Sequence, residues 1–165
     1  MTTKQFIKAV LIAGLIAGTL DAVAASIQYV INRHDNPAKV FRYIASAVFK
    51  EKTKTGELYG WAAVGLVLHY LIATTWAFIF FLFYKPIKNL VGNKYIAGIT
   101  YGLFVWCMMN FLVVPVVFGA DLGTNAEALF SPARIKNSFI QMGILIIAIG
   151  LPISLLADRS YSKKN

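Results

Sequence analysis

The stretch FIKAVLIAGLIAGTLDAVAASIQYVI, residues 6–31, decides the class of this chain. About 20 helical residues at 1.5 Å each cross a hydrocarbon core about 30 Å thick, so this segment is long enough to span a membrane. Asp21 sits in its middle. It belongs to a stripe of Gly14, Gly18, Asp21, Ala25 and Gln28, spaced four, three, four and three residues apart, which keeps all five on one helix face. An ionisable group at bilayer depth costs roughly 2.5–3.5 kcal/mol on insertion scales, so it faces protein or water and is a site by default.

Three more apolar runs follow, and the expected spans are roughly 6–31, 58–84, 95–118 and 138–157. The chain has 165 residues, 58% hydrophobic and 14% charged, with a mean hydropathy of +0.65. Soluble domains average about 25% charged residues. Four spans and their connections use up the length, which predicts one all-α membrane domain over residues 1–165. At the N-terminus, Lys4, Lys8 and Ala22-Val23-Ala24 imitate a cleaved secretory signal. Apolarity continues through Ile27, Tyr29, Val30 and Ile31, so the first helix is expected to be retained.

The net charge of +9 does not point to nucleic acid, because the cations cluster beside the spans. The side holding the termini has Lys4, Lys8, Lys85, Lys88, Lys94, Arg159, Lys163 and Lys164 against one acid, Asp158. The other side has Arg33, Lys39, Arg42, Lys50, Lys52, Lys54, Arg134 and Lys136 with five acids. The basic counts tie, but the termini side packs its cations into short segments hard against the spans. That places both termini in the cytoplasm. The bilayer is therefore the expected partner, its anionic headgroups in contact with these clusters. Cys107 is the only cysteine, so no internal disulfide can form.

The connection between the first two spans carries its own pattern. Asn36-Pro37 resembles a helix cap followed by proline at the first helical position. Val40, Phe41, Ile44, Ala45, Val48 and Phe49 then recur at helical spacing. This predicts an amphipathic helix over 37–52, parallel to the membrane or dipping back into the bundle. Residues 126–130 suggest a turn or two of helix in the second long connection. Gly14 with Gly18, and Gly98 with Gly102, are small-residue pairs that let helices approach closely. Their presence in the first and third spans hints at a duplicated two-helix unit, without a residue-level repeat. Pro115 and Pro152 are expected to loosen their helices.

Counted inward from the side opposite the termini, Asp21 and His69 each lie roughly 15 Å deep, Asn110 roughly 12 Å and Gln141 roughly 6 Å. His69 continues a stripe of small residues, Ala62, Gly65 and Ala73. Asp21, His69 and Asn110 are thus expected to meet, with Gln28 and Gln141 as further members of a buried polar cluster. A carboxylate beside an imidazole suits an ion pair or a shared proton. No nucleophile, metal set or second carboxylate accompanies the pair, so enzymatic activity is disfavoured. A b-type haem would need a second histidine at matching depth, and His34 lies beyond the first span. No zinc signature or nucleotide-binding glycine pattern is present, and neither a metal nor a cofactor is expected.

Several short segments bear a family likeness. Gly18-Thr19-Leu20-Asp21, Ile44-Ala45-Ser46, Gly65-Leu66-Val67-Leu68-His69, Met109-Asn110 with Pro115, and Gly150-Leu151-Pro152-Ile153 fall in order along nearly the whole chain. On these the protein resembles a group of small bacterial integral membrane proteins, broadly YagU-like. The resemblance implies a four-helix protein of the bacterial inner membrane with Asp21, His69 and Asn110 at polar motif positions. It implies no activity. Residues 50–54 depart from it, being basic where the group has a small, glycine-containing segment.

Three functions compete at this stage. The first is proton-linked transport or permeation of a small solute through the polar cluster, which in so narrow a bundle calls for a homodimer. The second is an accessory subunit that binds a membrane protein or lipid, the cluster serving only packing. The third is a lipid-modifying enzyme. An open cavity at Asp21 would favour the first, a closed cluster the second, and an opening beneath the 37–52 helix the third.

Overall fold

The computed structural model describes residues 2–119 and 121–162. Lys163 and Lys164, assigned above to the termini side, lie outside these residues. Among the described residues six α-type helices follow one another, with a 3-10 turn at Lys50–Thr53 after the second: α1 Thr3–Arg33, α2 Ala38–Phe49, α3 Leu58–Val91, α4 Lys94–Phe118, α5 Leu122–Phe130 and α6 Ile135–Ser162. The chain is all-α, and α1, α3, α4 and α6 are each long and apolar enough to cross a membrane.

Local chemistry sets the helix ends. Thr2 and Gln5 form a reciprocal capping box at the start of α1. The Asn36 side-chain oxygen accepts from the Ala38 N–H at 2.9 Å, so the Asn-Pro signal does open α2. Helix α3 runs past its expected end and through Pro86, stopping only where Gly92 takes a left-handed φ of 70°. Asn93 then caps α4 by accepting from the Tyr95 N–H at 2.8 Å.

The side chains are sorted as lipid demands. Ala13, Ala17, Ala77, Ala97 and Ala157 are wholly buried, while Leu11, Leu15, Val67, Leu71, Leu82 and Ile147 point outward. Lipid tails are as apolar as leucine, so helices associate through small residues that permit close backbone contact. Gly14 faces Thr74 and Gly18 faces Tyr70, which seats α1 on α3. Gly98, Gly102 and Gly150 interlock α4 with α6, and a Cβ on Gly150 would lie 2.1 Å from the Gly98 carbonyl oxygen. Each expected small-residue pair therefore packs against the next long helix in its own half of the chain. Phe6 and Tyr161 both pack on Phe81, so the two ends of the chain lie at one end of the bundle.

Helix α2 is tucked in rather than laid across the helix ends. Its backbone crosses α3 at Gly65, where a Cβ would lie 1.8 Å from the Phe41 carbonyl oxygen. Gly65 is two turns inside α3, roughly 10 Å along its axis from Leu58. Of the two expected placements, the close crossing puts α2 against the side of α3 and not only over its end, because glycine at this point lets the two backbones come so near.

Both expected proline effects take the form of π-helical turns. These occupy Met109–Val113 in α4 and Ile146–Gly150 in α6, each ending two residues before its proline. In π register the Val114 N–H bonds to the Met109 carbonyl. The next donor in that register would be residue 115, a proline with no N–H. The Asn110 carbonyl is thus freed, and the Asn125 side-chain amide from α5 donates to it.

Candidate functional site beneath helix α2

Asp21 and His69 reach the same level because α1 and α3 run antiparallel, with Gly14 and Gly18 set against Thr74 and Tyr70. The His69 Nε2 lies 3.8 Å from an Asp21 carboxylate oxygen and 2.9 Å from the Gly18 carbonyl oxygen. A carbonyl can only accept, so Nε2 carries a proton and donates it to Gly18. His69 is therefore anchored to the α1 backbone, one turn before the acid it faces. The rings of Phe41 and Tyr70 stand edge-on to the imidazole, at 6.0 and 5.9 Å between centroids. Phe41 belongs to α2, which makes that helix the cover of the pair.

Asp21 is less well served than its partner. Among the described residues nothing donates a hydrogen bond to its carboxyl group, and His69 stands beyond hydrogen-bond distance. Its side chain is 19% exposed, against 11% for His69. A buried register-fixing cluster has its polar atoms mutually satisfied. Here the carboxyl group keeps capacity for a proton, a water or a ligand.

The other expected members lie elsewhere. Asn110 sits in the π turn and donates to the Trp106 carbonyl of its own helix at 2.9 Å. Its carbonyl is occupied by Asn125, so it serves the break in α4. Gln141 is exposed, and its placement in a buried cluster is corrected. The inward stripe of α6 passes through Ser138, Met142 and Leu145, and Gln141 is one residue, about 100°, off that line. Gln28 does stay within the bundle, where its Nε2 is buried without a partner among the described residues. Of the glycines, Gly14 and Gly18 shape the pair's surroundings, Gly65 admits its cover, and Gly98 and Gly102 belong to the other seam.

A second polar cluster lies at the termini end and escaped the sequence reading. Asp158 on α6 accepts from the Tyr84 hydroxyl at 2.6 Å and from Lys88 and Lys94. Ser154, one turn earlier, donates to the Lys94 carbonyl at 2.7 Å. Together these tie the ends of α3 and α6 to the start of α4. The available signal was a lone acid at a span's end among bases, which reads equally well as a solvated tail.

Among the described residues no three His, Cys, Asp or Glu side chains come together as a metal site. No protein-family model, curated protein or solved structure matches this chain.

Proposed function

We propose that this protein moves a small solute across a membrane in step with a proton, with Asp21 as the group that takes up and releases the proton. One observation carries the reading: a carboxyl group in the middle of a helix long enough to span a membrane, beside an imidazole, has no hydrogen-bond donor among the described residues. A purely structural acid at that depth would be hydrogen-bonded as well as close to a base, because an unsatisfied carboxyl group costs stability. His69, fixed by Gly18, supplies a steady positive or dipolar neighbour. Helix α2 covers the pair and is the element whose displacement would open it. Resemblance to the YagU-like group supports a bacterial inner membrane. The density of cations beside α3 and α4 at the termini end supports cytoplasmic termini. A homodimer would supply the width that four helices lack.

The test is reconstitution of the full chain in proteoliposomes, with lumenal pH followed while gradients of small solutes are imposed. Asp21→Asn is expected to keep the fold and abolish any solute-linked proton movement. A signal that survives this change would leave packing as the role of Asp21. Coupling of the pair is read separately in a double-mutant cycle. Asp21→Ala should cost about 0.6–1.7 kcal/mol more in the parent than in a His69→Ala background. Additive losses would show that the two side chains do not interact.

A further inference from the structure

A cavity of about 1090 Å³ opens between the end of α1, the outer face of α2 and the end of α4. Five cations line it: Arg33, Lys39, Arg42, Lys50 and Lys54. Its two acids are already engaged, Asp35 with Lys39 and Glu51 with Lys54. Arg33, Arg42 and Lys50 therefore share the cavity with no ion-pair partner among the described residues. A net excess of three positive charges around one space raises the local concentration of anions. Two of them are guanidinium groups, whose planar fork of donors matches phosphate oxygens in pairs.

Lys50 adds an independent observation. It holds φ 46° and ψ −122°, a backbone conformation that L side chains rarely adopt and glycine adopts freely. The chain keeps a lysine where glycine would relieve strain, at a position lining the cavity. Strain of this kind collects where a side chain has a task.

The opposite wall is apolar. Tyr43 of α2 stacks on Phe118 of α4 at 4.6 Å and an interplanar angle of 7°. From Phe118 the wall continues to Val116 and Val117, which are exposed on a helix apolar enough to lie in a membrane. With that helix spanning a bilayer, the cationic side would stand at the level of lipid headgroups and the apolar side would run on toward the acyl chains.

We propose that this cavity binds the phosphate of a net-anionic ligand, with an anionic phospholipid headgroup as the occupant that uses both walls. The site is separate from the Asp21–His69 pair and stands whether or not that pair handles protons. An occupant held between α2 and α4 would also brace the helix that covers the pair.

The test uses the full chain in a neutral detergent, with bound molecules counted by native mass spectrometry. Short-chain phosphatidylglycerol, short-chain phosphatidylcholine and inorganic phosphate are the probes. Phosphatidylglycerol should bind in preference to phosphatidylcholine, and Arg42→Gln and Lys50→Gln should each weaken it roughly fivefold. Lys85→Gln, at the other end of the bundle, should leave it unchanged. Failure of inorganic phosphate to compete at millimolar concentration identifies the lipid as the source. Full competition identifies the free anion in its place, and the phosphate site still stands. Lys50→Gly separates binding from folding: the thermal midpoint should hold or rise while phosphatidylglycerol binding falls. Equal retention of the two lipids, or binding untouched by all three changes at Arg42 and Lys50, would overturn the proposal.

Discussion

Where α4 meets α6, Gly98, Gly102 and Gly150 all bring backbone onto backbone; where α1 meets α3, Gly14 meets the backbone and side chain of Thr74, and Gly18 meets the Tyr70 ring. The first seam has a π turn on each helix and an acid at its end, Asp158, saturated by three donors. The second has unbroken helices and an acid at its centre, Asp21, with no hydrogen-bond donor among the described residues. A short helix follows the first member of each pair, α2 in one half and α5 in the other. The two halves thus share a plan and differ in how their seams and acids are built. One meets through main chain at every glycine, and the other mixes main-chain and side-chain contacts and holds Asp21 and His69 beneath α2.

The largest expected effect breaks the seam between α4 and α6. In Gly150→Ala the new methyl would lie 2.1 Å from a carbonyl oxygen and 2.7 Å from the Gly102 nitrogen, so a helix must move. We expect a loss of about 3 kcal/mol or more, the upper range for overpacking. In Gly18→Ala the nearest atoms belong to the Tyr70 ring, at 2.9 Å, and to Ala73. A ring can swing, so we expect about 1 kcal/mol. Thermal unfolding in detergent measures both. Similar losses would mean that the seams are equally rigid.

A smaller contrast separates the two acids. Asp158→Ala strands the buried Tyr84 hydroxyl, which costs about 1–3 kcal/mol. Lys88 and Lys94 add little, because both ammonium groups are more than a third exposed and can turn to water. Asp21→Asn strands no donor that the carboxyl group had satisfied, so its expected cost stays below about 1 kcal/mol. Equal costs, read as shifts in unfolding midpoint, would remove the distinction between a structural and a spare acid.

Much of this layout was legible from spacing alone. Span lengths predicted the four long helices, and counting depth along them brought Asp21 to His69. That count works because α1 and α3 are unbroken up to the pair. It fails for Asn110 and Gln141, whose helices contain π turns or present another face. Pro115 marked a weakened helix, but not that Asn125 would repair it. The position of α2 depended on Gly65, which the sequence offers equally as a contact for any neighbouring span. Asp158 was visible only as an acid near lysines, since the fold alone decides which of them come within reach.

The finest comparison concerns the acids that precede the two short helices. Asp35, before α2, is held below its ordinary value of 3.8 first by the hydrogen bond from Lys39 and then by the Asn36 N–H. Asp121, before α5, is held below 3.8 by the Thr124 N–H and hydroxyl, at 3.0 and 3.1 Å. Both shifts are downward, so each carboxylate contributes stability that is complete above the unfolded value. That contribution is lost as pH falls through the lower folded value, which confines the effect to the acid side of about pH 4. Salt should divide the pair. Screening lengths shrink from about 10 Å at 0.1 M to about 3 Å at 1 M, which weakens an exposed ammonium–carboxylate contact. Hydrogen bonds from Thr124 carry no net charge and persist. Carboxyl NMR titrations at the two salt concentrations should move Asp35 back toward its ordinary value and leave Asp121 in place. Equal movement of both would mean that the Asp121 shift, like that of Asp35, is set by charge and not by the hydrogen bonds from Thr124.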